Sequence, residues 1–310
     1  MSYDVIIIGA GPAGLTAGIY ARTKLMSTLI IDAGSIGGQL TSIYPEKDIH
    51  NFPCFGSIQA KDLSDKLHTQ VESMNCEIHE KEVVEEIRDN NDEFFIKTNR
   101  KEYLAKSVII AAGIGIFKPR EIGCKGEPDF KDRGLSYIMP PKEELVGKKV
   151  VVFGGGNSAI EIAMMANSVA DTVIVHRRSE FRADESNVID LINSGVKTIM
   201  PAELQSVNGT DHVESVTLKM NEKTVELPVN VIIISIGTPS NLKNLKKWNL
   251  ESTENGLIKV ERDMSTSRRG IFACGDVVDY PGKRRRIVAG CGEACTAALS
   301  AHEFVKGHKP

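Results

Sequence analysis

The chain has 310 residues, about twice the length of a common domain, so we expect two domains. Its 38 Lys and Arg residues and 41 Asp and Glu residues give a formal net charge of -3, which argues against a dedicated nucleic-acid-binding protein. No apolar run approaches the roughly 18 residues that cross a bilayer, and the six cysteines are too sparse for a disulfide scaffold. Composition therefore predicts a cytoplasmic protein that binds neither nucleic acid nor membrane.

The first motif is a glycine-rich turn near the beginning of the chain. An apolar run at residues 5–8 leads into Gly9, Gly11 and Gly14, and apolar residues at helical spacing follow. In a strand, turn and helix unit, such glycines allow the tight turn, admit a pyrophosphate close to the backbone and let the helix pack on the strand. The next apolar run ends at Asp32, a carboxylate that can accept hydrogen bonds from ribose hydroxyls. This unit predicts an FAD or NAD site.

A second glycine-rich turn repeats this pattern in the middle of the chain. An apolar run at residues 149–153 leads into a turn that contains Gly154, Gly156 and Ser158, and a second apolar helical pattern follows. The repeat predicts a second dinucleotide site. Taken alone, either turn could be a packing corner with no ligand.

The two units differ at the position that recognises the ribose. In the second unit the strand is followed by His176, Arg177 and Arg178, with Arg182 four residues further on, where the first unit has an acid. Guanidinium groups suit a 2′-phosphate because they donate paired, charge-assisted hydrogen bonds. The arginines could also be an ordinary solvated strand end, but their place opposite a glycine turn favours an NADP site.

Three further apolar runs end at glycine, at residues 108–113, 231–237 and 270–276. Buried parallel strands that stop at glycine let the backbone approach a cofactor. The last run ends in Gly275 and Asp276, and the residues after it predict a helix over 292–304. Small β elements are expected at 94–98 and 213–219.

These motifs together resemble the low-molecular-weight thioredoxin reductase superfamily of flavoproteins, over nearly the whole chain. The resemblance rests on the two glycine turns, on His176, Arg177 and Arg178, and on the late pair Gly275 and Asp276. It implies an α/β fold with two Rossmann-like, three-layer ββα domains and a homodimer. It also implies an NADPH domain, residues 114–238, inserted into a discontinuous FAD domain, residues 1–113 and 239–310.

The chain departs from thioredoxin reductases in one decisive place. Those enzymes carry a redox CxxC shortly before the second glycine turn, whereas the matching stretch here, residues 135–142, has no cysteine. Residues 37–40, 44–47, 115–120 and 292–297 instead look like thioredoxin-reductase-like ferredoxin–NADP reductases. Members of that branch usually continue into a carboxy-terminal extension that covers the flavin, so the end of this chain at Pro310 implies a more open flavin face.

The resemblance also implies individual flavin contacts. Asp32 would bind the ribose, Asp276 would bind the ribityl chain, and Thr296 would lie near the pyrimidine edge at a helix amino terminus. The other implied contacts lie along the cofactor or beside its adenine or isoalloxazine ring, namely Gln39, Tyr44, Val84 and Phe117.

The expected reaction is hydride transfer from NADPH to FAD, followed by electron transfer directly to an external acceptor, with ferredoxin or a similar small acidic carrier as the expected partner. Flavin can accept a hydride and release electrons singly, so no catalytic acid, base or nucleophile is required. The basic run from Lys283 to Arg286 is a candidate docking surface for an acidic carrier, although it could be an ordinary exposed loop. No metal site is expected from the spacing of the histidines.

Two alternatives stay open at the level of sequence. A disulfide or peroxide reductase could use Cys291 and Cys295, because a nearby helix start could lower a thiol pKa. More often, such cysteines are small packing residues. A non-catalytic flavoprotein could also sense NADPH and bind a partner.

Overall fold

The computed structural model describes residues 2–115, 119–221, 223–237 and 245–307, without the side chains of residues 245 and 246. The chain divides into two compact units. The first unit comprises Met1–Phe117 and Ser240–Pro310, and the second unit comprises Lys118–Pro239. The second unit is therefore an insertion in the first.

Strands make up most of the regular structure, and they are numbered here in chain order. The strands are β1 (Ser2–Ile8), β2 (Thr28–Ile31), β3 (Asp48–Ile49), β4 (Ile58–Gln59), β5 (Glu77–His79), β6 (Val84–Asn90), β7 (Glu93–Thr98), β8 (Glu102–Ile110), β9 (Leu135–Ser136), β10 (Lys149–Phe153), β11 (Asp171–Val175), β12 (Lys197–Ile199), β13 (Glu203–Gly209), β14 (Val213–Met220), β15 (Lys223–Pro228), β16 (Val231–Ile234), β17 (Ile258–Lys259), β18 (Ile271–Ala273) and β19 (Val278–Asp279).

The helices are fewer, and only some of them are long enough to cover a sheet. The α-helices are α1 (Pro12–Thr23), α2 (Gln39–Ser42), α3 (Ala60–Ser73), α4 (Lys142–Leu145), α5 (Asn157–Asn167), α6 (Glu185–Asn193) and α7 (Ile287–Val305), and there are short 3₁₀ helices at Leu245–Trp248 and Gly275–Val277. No helix in the described ranges is long and apolar enough to cross a membrane.

The first unit is built on a seven-stranded sheet. Its parallel part has the order β5, β2, β1, β8, and β18 pairs with the end of β8. The beginning of β8 instead pairs antiparallel with β7, which pairs with β6. The apolar residues in the carboxyl-terminal halves of β1 and β8 are buried because apolar clusters cover both faces of this sheet. Because β1 and β8 are parallel, their carboxyl ends meet at one edge, where ligands bind in such folds.

Small residues let α7 lie close to α1 and to the 3₁₀ helix. A Cβ atom on Gly290 would lie 3.3 Å from Cα of Gly275, so a larger residue there would press on the turn. The predicted helix start at residue 292 is wrong, because α7 begins at Ile287. The helix runs through Gly290 and Gly292, which each cost helix stability, and Gly290 allows this approach.

The second unit has a five-stranded parallel sheet in the order β12, β11, β10, β16, β9. A separate antiparallel sheet of β13, β14 and β15 lies in the same unit. Apolar side chains of β10 and β16 divide between two buried clusters, one shared with β13 and β14 and the other with α5. The predicted β elements at 94–98 and 213–219 are confirmed as β7 and β14, and the α/β class is confirmed.

Candidate functional site

The first glycine turn joins β1 to α1 and combines two tight positions with one open position. Gly9 has φ +111°, and a Cβ atom there would overlap the carbonyl oxygen of Ala111. A Cβ atom on Gly14 would overlap the carbonyl oxygen of Gly9. On Gly11, in contrast, a Cβ atom would meet no described atom within 4 Å. The outer glycines therefore serve packing, and the middle one faces open space.

The amino terminus of α1 is available to an anion. Gly11 caps the helix, no side-chain hydrogen bond reaches this cap within the described residues, and the first turn holds no acidic residue. Pro12 is at the start of the helix, where its missing N–H is not needed. The remaining N–H groups and the positive end of the helix dipole suit a pyrophosphate.

The Asp32 carboxylate joins the end of β2 to the glycine turn. Its Oδ2 atom accepts the N–H of Ala10 at 2.6 Å, and its Oδ1 atom accepts the N–H of Gly34 at 2.7 Å. Burial raises the pKa of Asp32, although the two backbone hydrogen bonds oppose that shift. Each oxygen keeps a further lone pair, so the carboxylate can also accept a hydrogen bond from a ligand hydroxyl.

Gln39 lies beside the same turn. A Cβ atom on Gly38 would lie 3.2 Å from Cα of Gly11, and one on Gly113 would lie 4.0 Å from Nε2 of Gln39. Gln39, the first residue of α2, and Gly38 before it therefore lie near the glycine turn and the residues that follow β8.

Tyr44 and Val84 occupy two different environments in the first unit. The Tyr44 ring packs against the apolar cluster around α2, β3, β4 and α3, and Nζ of Lys47 lies 5.1 Å from its centroid. Val84 begins β6 and is buried in the core cluster that also contains Ile31, next to Asp32. Phe117, the other predicted ring contact, lies outside the described residues.

Asp276 is held in a tight turn after β18. Gly275, with φ +81°, precedes it, and the 3₁₀ turn extends over Gly275–Val277. No hydrogen bond reaches the Asp276 carboxylate from the described residues. Burial raises the pKa of Asp276, while the positive charges of Lys283 and Arg285 oppose that shift. A ligand hydroxyl would supply the hydrogen bond that this half-buried acid lacks.

The second glycine turn, between β10 and α5, has the same division of roles. A Cβ atom on Gly154 would overlap the carbonyl oxygen of Ser235, whereas one on Gly156 would meet no described atom within 4 Å. Gly156 caps α5, and no side-chain hydrogen bond from the described residues reaches this cap. Ser158 is exposed in the first turn of the helix. This helix amino terminus is a second place for a pyrophosphate.

His176 packs against the middle of this turn. A Cβ atom on Gly155 would overlap the His176 imidazole, which also stacks on Phe181 with 5.6 Å between ring centroids. The residue is 5% exposed, and its Nε2 atom has no hydrogen-bond partner among the described residues. Burial, and then the nearby arginines, lower the pKa of His176, so the ring is neutral at pH 7. The steric role of Gly155 was not predicted from the sequence.

Three arginines stand at the end of β11 beside the same turn. Arg177, Arg178 and Arg182 are exposed, and their guanidinium groups form no ion pair with the described residues. The backbone N–H of Arg182 donates to the carbonyl oxygen of Gly155 at 2.7 Å, which fixes this residue at the glycine turn. The cluster is therefore an unneutralised cationic site next to a helix amino terminus.

Two sequence predictions in the first unit are wrong in part, namely the position of Thr296 at a helix amino terminus and the exposure of Lys283. The contact of Thr296 with the cofactor stays a prediction. Thr296 lies in the middle of α7, where its hydroxyl donates to the carbonyl oxygen of Gly292 at 3.3 Å, because the helix begins earlier than expected. Lys283 does not belong to an exposed basic run, because its ammonium group is buried against Glu293. An acid in an otherwise small and apolar helix segment was the signal that could have indicated Glu293.

The six cysteines all lie within the described ranges and are free thiols. Burial raises the pKa of Cys291, so the expected lowering by a helix start is wrong for this residue. Burial also raises the pKa of Cys274, which is fully enclosed. The described residues contain no cluster of three or more potential metal ligands.

Comparisons with known proteins agree with this architecture. The family model for pyridine nucleotide-disulphide oxidoreductases matches residues 3–298. A ferredoxin–NADP reductase from Thermus thermophilus is 40% identical, with 97% of this chain and 92% of the relative covered. One from Streptococcus thermophilus is 36% identical, with 98% and 93% covered.

Solved structures of thioredoxin reductases share the fold. The Lactococcus lactis enzyme has a TM-score of 0.90 at 30% identity, covering 98% of this chain and 99% of that one. The T. acidophilum enzyme has a TM-score of 0.89 at 28% identity, covering 97% and 98%. With a family match over nearly its whole length, this chain belongs to the pyridine nucleotide-disulphide oxidoreductase family.

Proposed function

We propose that this protein is an FAD-dependent reductase that takes a hydride from NADPH and passes electrons directly to ferredoxin or a similar small acidic carrier. The first unit would be the FAD domain and the second unit the NADPH domain. The names of the curated relatives, ferredoxin–NADP reductases at 36% to 40% identity, support this assignment.

The proposal rests on one observation: the residues that follow β2 in the first unit and β11 in the second unit carry opposite charges. Each unit has a strand, an open glycine turn and a free helix amino terminus, so each suits a dinucleotide. The neighbouring strand ends in the acid Asp32 in the first unit and in exposed arginines in the second. A carboxylate accepts hydrogen bonds from ribose hydroxyls but repels a 2′-phosphate, whereas guanidinium groups bind that phosphate.

The residues of the first unit fit FAD. The open space at Gly11 and the amino terminus of α1 would hold the pyrophosphate. Asp32 would accept a hydrogen bond from the ribose, and Asp276 would accept one from the ribityl chain. Gln39, Tyr44, Val84 and Phe117 are proposed contacts along the cofactor. When bound, FAD supplies the ability to accept a hydride and to release electrons one at a time.

The residues of the second unit fit NADPH. Gly154, Gly156 and Ser158 would hold the pyrophosphate, and three guanidinium groups would bind the 2′-phosphate through Arg177, Arg178 and Arg182. His176 would keep its neutral ring against the turn rather than act in the chemistry.

The missing dithiol favours direct transfer to the acceptor. No cysteine lies between Ser136 and Gly154, where a thioredoxin-type enzyme has its redox pair. The buried thiols of Cys274 and Cys291 have raised pKa values, which makes them poor nucleophiles. A thiol titration before and after reduction by NADPH is therefore expected to show no additional thiols. Two additional thiols would support a disulfide reductase instead.

Turnover under anaerobic conditions tests the proposal directly. We expect NADPH to reduce ferredoxin much faster than NADH does, and we expect little reduction of thioredoxin. A quinone is assayed in parallel as a third acceptor. Faster reaction with NADH would contradict the role of the arginines, and flavin reduction with no turnover would favour a sensor. A cytoplasmic homodimer is also proposed, and light scattering of the purified protein measures its mass.

A further inference from the structure

A buried ion pair joins α7 to the region after the Asp276 turn. Nζ of Lys283 lies 2.5 Å from Oε1 and 2.6 Å from Oε2 of Glu293. The two side chains are only 2% and 6% exposed. Such a pair differs from the exposed ion pairs elsewhere in the chain, because both charges have left water.

The Glu293 carboxylate also holds the turn itself. Its Oε2 atom accepts the backbone N–H of Gly275 at 2.9 Å, and its Oε1 atom accepts the hydroxyl of Tyr280 at 2.7 Å. Both oxygens are therefore used within the protein. With two donors on each oxygen, Glu293 has no lone pair left to accept a hydrogen bond from a ligand.

Stability alone does not explain the pair. Removing two charges from water costs more free energy than their attraction commonly returns, and apolar residues of similar volume are often equally or more stabilising. The geometry offers another role, because Gly275 immediately precedes Asp276. The hydrogen bond to the Gly275 N–H fixes the position from which the Asp276 side chain departs.

We propose that Lys283 and Glu293 form a positioning pair that holds the Gly275–Val277 turn so that the Asp276 carboxylate meets the ribityl hydroxyls of FAD. This inference rests on the proposed function. Lys283 compensates the charge of Glu293, and Glu293 accepts the Gly275 N–H. Neither residue touches the cofactor, so the pair sets FAD affinity through the turn.

Two double variants separate positioning from simple stability. K283M with E293Q removes both charges but leaves an amide oxygen that can accept the Gly275 N–H. K283M with E293L also removes both charges and fills the space, but leaves that N–H without an acceptor. An ion pair between exposed groups, Lys106 and Asp4, provides the control K106M in the same unit.

The measurement is the dissociation constant of FAD from the full-length protein, followed by the fluorescence of released flavin. Circular dichroism first shows which variants are folded. We expect FAD binding within about threefold of wild type for K106M and K283M/E293Q, and at least tenfold weaker for K283M/E293L, because an unsatisfied buried N–H displaces the turn. NADP⁺ affinity, which depends on the second unit, should stay unchanged in all of them.

The outcomes distinguish this inference from the proposed function. Equal FAD affinity in the Gln and Leu double variants would overturn the positioning role and leave the proposed function intact. Weaker binding of both FAD and NADP⁺ by K283M/E293L would point to general structural damage and would also overturn it. A wild-type protein that binds no FAD would overturn both. Should K283M/E293L fail to fold, K283M/E293A, which also leaves the Gly275 N–H without a side-chain acceptor, must release FAD faster than K283M/E293Q.

Discussion

The imidazole of His176 lies against Gly155, in the volume that a larger side chain at position 155 would need. Asn157 is the first residue of α5, and its Oδ1 atom accepts a hydrogen bond from the backbone N–H of Asp184 at 2.7 Å. The second glycine turn is therefore fixed by residues of the segment that follows β11, and the same segment carries the arginines.

Substitution of Gly155 should disturb this packing. We expect G155A to lower the free energy of unfolding by about 1–3 kcal/mol, because the new methyl group must displace the imidazole. Chemical denaturation measures the change. G156A is the matched control, since a Cβ atom there meets no described neighbour. It should keep its stability but bind NADPH more weakly, and equal stability losses in both variants would contradict the assigned roles.

The arginines should discriminate NADPH from NADH. Replacing Arg177, Arg178 or Arg182 by Gln should raise the KM for NADPH about tenfold, because each change removes a charge-assisted hydrogen bond to the 2′-phosphate. The KM for NADH should stay the same. Steady-state kinetics with both nucleotides measures this, and K197Q, which removes an exposed cation paired with Asp171, is the control. Parallel increases for both nucleotides would argue against phosphate recognition.

The first turn should respond differently at its open and closed positions. G11A places a methyl group in the space proposed for the pyrophosphate, so FAD affinity should fall at least tenfold while the protein stays folded. G9A should instead reduce stability by about 2 kcal/mol or more, because φ is positive and the methyl group overlaps Ala111. Flavin fluorescence measures the FAD affinity of both variants, and chemical denaturation measures their free energy of unfolding. A stable G9A protein with normal FAD affinity would refute this assignment.

Asp276 should make the FAD-free protein less stable as pH rises. Burial raises the pKa of the Asp276 carboxyl in the folded state above its ordinary value of 3.8. At pH values between 3.8 and this raised pKa, the folded state binds more protons than the unfolded state. The free energy of unfolding therefore falls as pH increases from 3.8 through the raised pKa, and the penalty is complete above that raised pKa.

We therefore expect D276N to stabilise the FAD-free full-length protein at pH 7 and to lose this gain as pH falls towards the ordinary range of a carboxyl group. Thermal unfolding at several pH values measures the gain. The same variant should bind FAD more weakly. D48N, a change at an exposed position of β3, is the control, and a gain that does not depend on pH would contradict the explanation.

Local motifs were predictable because their causes are local. Gly9 and Gly154 each follow a strand directly and have positive φ values, which glycine adopts easily. The apolar patterns around these glycines predict the order of strand, turn and helix. Asp32 and the three arginines each follow the strand that comes after their own glycine turn. Because parallel strands end at the same edge of a sheet, sequence position alone placed Asp32 beside the first glycine turn and the arginines beside the second.

The wrong predictions concern relations between distant parts of the chain. The start of α7 was misplaced because Gly290 is a poor helix former alone, and only its close approach to Gly275 in the folded chain explains its presence. The environment of Cys291 was misjudged for a related reason, because its thiol is buried near the Pro12 carbonyl oxygen at 3.8 Å.

The sequence by itself determined two dinucleotide units with opposite charges at the ribose position, since short stretches of chain encode both glycine turns. Tertiary structure alone decided what the basic run after Asp276 does. Lys283 is followed by three arginines and would be solvated in isolation, yet Glu293 from α7 meets it in the interior. A buried cation requires a partner charge, and only folding brings that partner into contact.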